Sequence, residues 1–339
     1  MSYGCCEVAW EQLGLPWRRN DTTASPSAGE ALMVRETPDS LTVAGKDFEY
    51  CFDKRMGKLV SLKYQGKILI QDGPQLNVWR APLANEMDEW ATDASHLTYR
   101  TPSMGEDPAN NWRSLGLDRL TYTLEWFSVL ANDSRRVVID VAGHAEGSSY
   151  ATAFDNRFRY SIDPRGALTI QNSVTPQGLM PAWLQRIGLQ LILSKDLQQV
   201  SWYGRGPYEN YPDCKTGARI GVYRDTVNGM VEPYLIPQDF GLRTDNRWVR
   251  FENADGVGLK MQGDRWFNFN AYPFATDNLT RARYAYQLVP LDGITLNFDY
   301  ATSGVGCTAI SLLNQYRVLP QPYAYTVHLT PCSKCEEYD

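Results

Sequence analysis

The chain has 339 residues, 43% of them hydrophobic and 21% charged, which is the composition of a soluble globular protein with a substantial core. The 39 acidic and 33 basic residues give a net charge of −6, and Lys and Arg form no basic run, so nucleic acid is excluded as a partner. No segment approaches the ~20 apolar residues of a membrane-spanning helix, and the N-terminus lacks a signal-peptide pattern, so we expect no membrane partner.

The N-terminal region divides into a short alternating segment and a linker. The sequence EVAWEQLGL, within residues 1–17, has the period-2 pattern of one strand. Residues 18–33 have the Ser, Thr, Ala, Pro and Gly content of a linker. Because a single strand cannot form a sheet, residues 1–17 are either the last strand of an upstream domain or a frayed terminus. A short helix starting in SPSAGEALMVRE, residues 25–36, is an alternative to a continued linker.

Dense strand patterns follow in residues 34–339, which we interpret as one domain. Residues 41–70 alternate strand, turn, strand, turn and strand. A hairpin is predicted around the turn Asp163-Pro164-Arg165-Gly166, which Tyr160 and Leu168 flank. About a dozen or more strands emerge, with one further helix in residues 276–288 that Thr276 or Asp277 would cap. The sequence therefore predicts an all-β fold of two large packed antiparallel sheets with one or two short helices.

The seven cysteines favour neither a disulfide framework nor a metal site. Their number is odd and their spacing is scattered. The CSKC sequence at 332–335 lacks the second ligand pair of a zinc site and the βαβ context of a redox motif, so we interpret it as an incidental tail.

Three polar and aromatic segments are candidates for function. Residues 201–221, SWYGRGPYENYPDCKTGARIG, combine a glycine- and proline-fixed turn with side chains that suit a hydroxyl-rich ligand. The candidate carbohydrate-binding residues are Trp202, Tyr203, Arg205, Tyr208, Glu209, Asn210 and, from residues 237–251, Arg243. The competing interpretation is that Arg205 and Glu209 pair with each other and lock the turn. In residues 77–90, NVWRAPLANEMDEW, the carboxylates could form an acid/base pair or hold a hard cation, although a solvated loop is the default.

These segments and FNFNAYPF at 267–274 occur in one order that resembles the C-terminal domain of family 2 glycoside hydrolase β-galactosidases of the long bacterial type. The resemblance covers residues from about 35 to 335. It implies a β-supersandwich of the galactose mutarotase-like type and a non-catalytic role beside an absent barrel that carries the two catalytic glutamates. The parent enzyme would hydrolyse terminal β-D-galactosides with retention. Residues 1–17 then resemble the last strand of the immunoglobulin-like domain that precedes this one.

The resemblance also implies sites and partners. No catalytic residue and no cofactor are expected in this fragment, whereas the parent family uses Mg and Na ions. A secondary alkali-ion site would use backbone carbonyls of Ile236, Pro237 and Leu279. Gly304 and Gly306 would belong to the substrate-approach loop, in which the Trp of some family members is missing here. The partners would be a galactoside or another carbohydrate, the rest of the parent chain and further copies in a homo-oligomer, in the bacterial cytoplasm or periplasm.

Two alternative functions remain open at this stage. The first is a stand-alone carbohydrate-binding module that uses the candidate residues above. The second is an aldose mutarotase, which fold analogy suggests and which needs an acid/base pair such as His with Glu. Because His96, His144 and His328 all lie outside the polar segments, the mutarotase ranks last.

Overall fold

A computed structural model describes residues 10–13, 30–87, 108–148, 151–306 and 312–333. Within these ranges the chain forms 18 strands, which make up two antiparallel sheets of nine strands each. Two short α-helices accompany them, α1 at Pro108–Ser114 and α2 at Thr276–Arg281. The prediction of an all-β supersandwich with one or two short helices is confirmed. No helix in these ranges is long and apolar enough to cross a membrane.

The first sheet has the strand order β1-β2-β3-β4-β5-β10-β17-β16-β13. Its strands are β1 Met33–Glu36, β2 Ser40–Ala44, β3 Phe48–Asp53, β4 Lys58–Tyr64, β5 Lys67–Asn77, β10 Arg186–Leu193, β13 Arg243–Asn246, β16 Phe267–Phe274 and β17 Pro290–Thr302. Consecutive strands β1 to β5 are neighbours, so this half of the sheet is a meander that short turns can connect.

The second sheet has the strand order β12-β11-β14-β15-β18-β9-β8-β7-β6. Its strands are β6 Thr121–Asp133, β7 Arg136–Glu146, β8 Thr152–Ile162, β9 Leu168–Gly178, β11 Gln199–Gly206, β12 Arg219–Thr226, β14 Trp248–Glu252, β15 Gly258–Gly263 and β18 Tyr323–Cys332. Three 3₁₀ turns, Leu117–Arg119, Ala285–Gln287 and Asn314–Tyr316, lie in the connections.

The inner faces of the two sheets enclose one main apolar core. Strand β10 shows the alternation that produces it, because Leu189, Leu191 and Leu193 are fully buried while Gln190 and Ile192 point away from that core. Burial of each such leucine contributes roughly 1.5–3 kcal/mol to folding. The alternation of apolar residues therefore determines which face of each strand points inwards.

Several local predictions are confirmed and several are wrong. The hairpin forms with Ile162 opposite Leu168, and the Asp163 carboxylate accepts hydrogen bonds from two backbone N–H groups of the turn. Residues 41–70 hold four strands, β2 to β5, rather than three. Of SPSAGEALMVRE, the last four residues form strand β1, because they pair with β2. Only residues 10–13 of the predicted first strand are described, and they are not in a strand.

Helix α2 is present but shorter than predicted. Its N-cap is Ala275, so the prediction that Thr276 or Asp277 caps it is wrong. The Thr276 hydroxyl instead lies 3.0 Å from the Tyr272 hydroxyl and accepts a hydrogen bond from the Gln190 amide. These tertiary hydrogen bonds occupy the side-chain oxygen that a cap would use.

The chain passes between the two sheets several times, and the connection from β13 to β14 is a single residue. Strand β13 ends at Asn246 in the first sheet, and β14 begins at Trp248 in the second, so Arg247 alone connects them. Just before this crossing, Asp245 has a φ of 55°, in the left-handed region that few residues other than Gly, Asn and Asp adopt. This crossing lies beside strand β11 and positions the candidate site.

Candidate functional site

The 207–218 connection follows β11 and is fixed by ion pairs. The Arg205 guanidinium donates to Asp245 Oδ2 at 2.6 Å and to the Ala218 carbonyl at 2.8 Å, and Lys215 Nζ donates to Asp245 Oδ1 at 2.7 Å. Burial alone would raise the pKa of Asp245, but the hydrogen bonds and charges of Lys215 and Arg205 outweigh it and lower that pKa. The predicted pairing of Arg205 with Glu209 is wrong, because Asp245 takes the arginine.

Glu209 closes a different loop. Its carboxylate accepts hydrogen bonds from the Tyr234 hydroxyl and, at 2.8 Å, from the Gly241 backbone N–H. Gly241 has a φ of 74°, so glycine is suited to this turn. Burial, followed by the charge of Glu209, raises the pKa of the neighbouring Glu232 carboxyl. Glu209 therefore ties residues 234–241 to the 207–218 connection.

Asp213 holds the predicted substrate-approach loop. Its carboxylate accepts hydrogen bonds from the backbone N–H groups of Val305 at 3.0 Å and Gly306 at 2.7 Å. A Cβ at Gly304 would lie 2.4 Å from the Asp213 carboxylate, so this close approach requires glycine. The amide of Asn85 donates to the Val305 carbonyl on the other side.

Arg80 anchors the same loop from inside the protein. Its side chain is fully buried and donates to the carbonyls of Ser303 at 3.0 Å and Gly304 at 2.8 Å. It also pairs at 2.6 Å with Glu86, whose second oxygen accepts from the Leu83 N–H at 2.9 Å. The default prediction that residues 77–90 form a solvated loop is therefore wrong for Glu86. Asp88 and Glu89 lie outside the described residues.

A second buried charge network lies beneath this loop. Arg186 donates to Asp239 at 2.8 Å and lies 3.4 Å from Asp299, and all three side chains are fully buried. Asn270 donates to Asp239 at 3.1 Å and to the Phe240 carbonyl at 2.8 Å. Burial raises the pKa of Asp299 to about 6, although Arg186 and a hydrogen bond from Thr302 oppose the rise. The sequence motifs did not reveal this network, because its members come from four separate segments.

The predicted carbohydrate-binding residues do not form one surface. Trp202, Asn210 and Arg243 are at most 2% exposed, so they have no surface for a sugar. The Arg243 guanidinium lies 5.3 Å from the centre of the Trp202 ring, and Asn210 accepts the Thr244 N–H at 3.1 Å. Apolar contacts bury Trp202 on the inner face of β11.

Only the two tyrosines of the predicted set present a ring to solvent. Tyr203 is 37% exposed on the outer face of β11, and Tyr208 is 49% exposed in the connection that follows. Arg205 and Glu209 are partly exposed but are used in the hydrogen bonds above. Arg247, which lies against the rings of both Tyr203 and Trp266, was not in the predicted set, and neither was Trp266.

The segments named for an alkali ion are neighbours in space. The Asp239 N–H donates to the Ala81 carbonyl at 3.1 Å, and Leu279 packs in a small cluster with Ala81 and Phe240. A site in which backbone carbonyls bind a hard cation needs carbonyl oxygens that no hydrogen-bond donor occupies. In the described ranges no donor reaches the carbonyl oxygens of Ile236, Pro237 or Leu279. No group of three His, Cys, Asp or Glu side chains there could hold a metal ion.

A cavity of about 1020 Å³ is lined by residues of both sheets and of helix α2. Carboxamides such as Gln71 and Gln190 line its floor, and Trp79, Tyr122 and Arg281 line its walls. The Trp79 indole N–H donates to the Thr280 hydroxyl at 3.2 Å. This volume is in the range of small-molecule sites, and of the three candidate segments in the sequence, residues 77–90 contribute Asn77, Val78 and Trp79 to its lining.

The two described histidines lie on the outer face of the second sheet. His144 lies between Asp155 and Glu125, with 2.7 Å from a ring nitrogen to each carboxylate. The hydrogen bond with Asp155 is the main cause of the raised pKa of His144. Burial lowers the pKa of His328, which contacts the Thr169 hydroxyl at 3.1 Å. Both ring nitrogens of His144 are occupied by its carboxylate partners, and His96 lies outside the described residues.

The sequence model of the family described as "Beta galactosidase small chain" matches residues 44–329. The β-galactosidase of Priestia megaterium is 31% identical over 303 residues, which cover 88% of this chain and 27% of that protein. The β-galactosidase of Vibrio cholerae is 32% identical over 275 residues, which cover 79% of this chain and 24% of that protein. The chain thus spans about a quarter of the length of these relatives.

Among solved structures, a putative aldose 1-epimerase from Escherichia coli matches 89% of this chain and 99% of its own, with 10% identity and a TM-score of 0.41. A GalM/aldose epimerase homologue from C. elegans matches 90% of this chain and 99% of its own, with 10% identity and a TM-score of 0.43. Likenesses this distant support no argument about function.

Proposed function

Because the chain belongs to the β-galactosidase small-chain family, we propose that it is the non-catalytic C-terminal part of a retaining family 2 β-galactosidase. In this role it supports the catalytic barrel and lines the approach of terminal β-D-galactosides to it. The partners in this proposal are the galactoside, the rest of the longer chain and further copies of that chain.

The observation that carries the proposal is the double anchoring of residues 303–306. Asp213 holds the backbone N–H groups of this loop, while Arg80 holds two of its carbonyls from the opposite side. Charge-assisted hydrogen bonds of this kind are shorter and stronger than neutral ones. A loop whose donors and acceptors are both fixed by charged side chains, one of them the buried Arg80, is suited to present a rigid edge to a neighbouring domain.

The state of the acidic side chains supports a non-catalytic role. A retaining glycosidase needs two carboxyl groups about 5–5.5 Å apart that can reach the sugar. Here Glu209, Asp213 and Asp245 each accept hydrogen bonds from groups that hold the loops in place. We therefore assign the cleavage step to the part of the longer protein that lies outside this chain.

Ions enter the proposal at one place in this chain. The free carbonyl oxygens of Ile236, Pro237 and Leu279 would hold an alkali ion, which would neutralise their dipoles and fix residues 236–240 beside helix α2. The Mg ion of the family belongs to the barrel in this proposal, and no residue of this chain is assigned to it.

The test compares the chain alone with the longer protein that contains it. The chain alone should hydrolyse nitrophenyl β-galactoside no faster than a buffer blank. In the longer protein, Asp213→Ala should raise KM several-fold, because the approach loop loses two hydrogen bonds that anchor it. The control Asp255→Ala, in an exposed turn, should have the same KM as the unsubstituted protein. Hydrolysis by the chain alone that Glu209→Gln abolishes would overturn the proposal.

A stand-alone carbohydrate-binding module is a second candidate function, with only Tyr203 and Tyr208 left of the predicted contact residues. The exposed rings of Tyr203 and Tyr208 favour it, because sugars pack their C–H faces on accessible aromatic rings. Calorimetric titration of the chain with galactose and lactose tests it, and a flat titration at millimolar sugar would remove it. The mutarotase has no comparable support, since the carboxylate partners of His144 already occupy both ring nitrogens.

A further inference from the structure

At the crossing from β13 to β14, Arg247 lies between two aromatic rings. The Arg247 guanidinium lies 4.2 Å from the centre of the Trp266 ring and 5.2 Å from that of Tyr203. Its backbone N–H donates to the Tyr203 carbonyl at 2.7 Å, which fixes the base of the side chain. Trp266 is 57% exposed and Tyr203 is 37% exposed, so the outer surfaces of both rings are accessible.

The guanidinium of Arg247 keeps most of its hydrogen-bonding capacity. Of its five N–H donors, one contacts the Asp245 carbonyl, and no other acceptor in the described ranges reaches the group. Partial burial lowers the pKa of Arg247, because it removes the guanidinium in part from water. An anion placed at the open edge of the group would therefore be attracted strongly.

The surrounding charges leave a local excess of positive charge. Asp245 is the nearest carboxylate, but Arg205 and Lys215 already pair with it at 2.6 and 2.7 Å. Three cations thus share one anion. Asp245 adopts its left-handed backbone conformation at this point, two residues before Arg247.

A similar pair elsewhere in the protein has its arginine bonded directly to a carboxylate. On strand β6, Trp126 is 43% exposed, and the Arg157 guanidinium lies 6.0 Å from its ring centre. Arg157, however, donates to Asp140 with two hydrogen bonds of 2.6 and 3.0 Å. Arg159 also lies 3.4 Å from this carboxylate. The residue types are the same as at Arg247, but the guanidinium of Arg157 is already bonded to a carboxylate, so this pair is a control for the open guanidinium edge.

We propose that Tyr203, Arg247 and Trp266 form a binding site for saccharide units that carry an anionic group. A pyranose can lay its C–H face on the exposed indole, while its carboxylate or sulfate accepts hydrogen bonds from the guanidinium edge. The rings and the cation are adjacent, so one charged sugar unit can use both. This site is separate from the anchored loop and does not depend on the role proposed for that loop.

The experiment titrates the purified chain with four probes at low and high salt. Trigalacturonate and galactose 6-sulfate carry the two kinds of anion, galactotriose is the neutral match, and oligoglutamate is the acidic peptide match. Variants are Arg247→Gln and Trp266→Ala, with Trp126→Ala as the control, and a thermal melt of each variant checks its folding. Tryptophan fluorescence and calorimetry report binding.

We expect one or both anionic sugars to bind at least ten-fold more tightly than galactotriose, with binding weakened by salt because the contact is partly exposed. Arg247→Gln should weaken it about ten-fold and Trp266→Ala at least three-fold, whereas Trp126→Ala should leave it unchanged. Which anionic probe binds distinguishes a uronate from a sulfate ligand. Three results would each overturn the proposal. Galactotriose binds as tightly as the anionic sugars, oligoglutamate still binds to the Trp266→Ala variant, or no sugar binds at millimolar concentration.

Discussion

Replacing Asp299 by Asn should remove a defined part of the pH dependence of stability. Asp299 is fully buried, and its Oδ2 atom accepts from the Thr302 hydroxyl at 3.0 Å and lies 3.4 Å from Arg186 Nη1. In the described structure its Oδ1 atom has no hydrogen-bond partner. Asn has nearly the same shape but cannot ionise, so the substitution removes the titration with little change in packing.

The magnitude follows from the pKa in each state. Burial raises the pKa of Asp299 from 3.8 to about 6 in the folded chain. At about 1.36 kcal/mol per unit, ionising this carboxyl costs the folded state about 3 kcal/mol more than the unfolded state. The folded state binds the proton more tightly, so this cost is absent below about pH 4 and complete above about pH 6. The contribution of Asp299 to stability therefore falls as the pH rises through this window.

Urea unfolding of the parent chain and Asp299→Asn, measured at several pH values, tests this reasoning. The difference in unfolding free energy between the two should change by about 2 kcal/mol between about pH 4.5 and about pH 7, in favour of the variant at the higher pH. The exposed-turn variant Asp255→Asn should show no such change relative to the parent. If the curves of Asp299→Asn and the parent run parallel, Asp299 does not titrate in this range and the burial argument fails.

Three further predictions concern a loop, an edge and a turn. Gly304→Ala should lower the free energy of unfolding by about 1–3 kcal/mol in urea, because a Cβ at Gly304 meets the Asp213 carboxylate at 2.4 Å. Gln12→Ala should increase the dimer fraction in sedimentation, because its carboxamide bonds both the N–H and the C=O of Ile220 on the edge strand β12 and exposed edges pair with other chains. Asp163→Ala should cost about 1 kcal/mol in the same urea assay, since two turn N–H groups lose their acceptor.

The alternation of apolar residues was sufficient to predict the architecture but not its details. Strands such as β8 and β9 bury every second residue, and their turn has the Asp and Gly that its geometry requires, so both were predictable from local sequence. The order of strands within the two sheets could not be predicted. The neighbours of β10, for example, are β5 and β17, which lie more than 90 residues away in each direction along the chain. Pairing at such distances depends on packing of whole faces, which local patterns do not encode.

The candidate site was predictable as a location and not as a set of contacts. The sequence identified residues 201–221 as unusual, and the structure shows that glycines there allow close approach of neighbouring groups, as at Gly204, where a Cβ would lie 2.0 Å from the Asn246 side chain. The partners of Arg205 and Glu209 could not be predicted, because Asp245, Tyr234 and Gly241 come from a segment 25 to 40 residues later. The burial of Trp202 could not be predicted from the sequence either. Alternation along a strand shows that its two faces differ, but the packing of the two sheets decides which face points inwards.

A dense cluster of charged residues in a sequence has two physical explanations, and burial decides between them. Where the partners lie within the protein, as for Asp213 with the 305–306 backbone, the charge fixes a loop and its desolvation is offset by hydrogen bonds. Where compensation is incomplete, as at Arg247, the fold leaves a partly exposed cation whose remaining N–H groups are open to a ligand. Ligand-binding experiments should therefore begin at Arg247, in the crossing from β13 to β14, and not at the charged residues of the 201–221 motif.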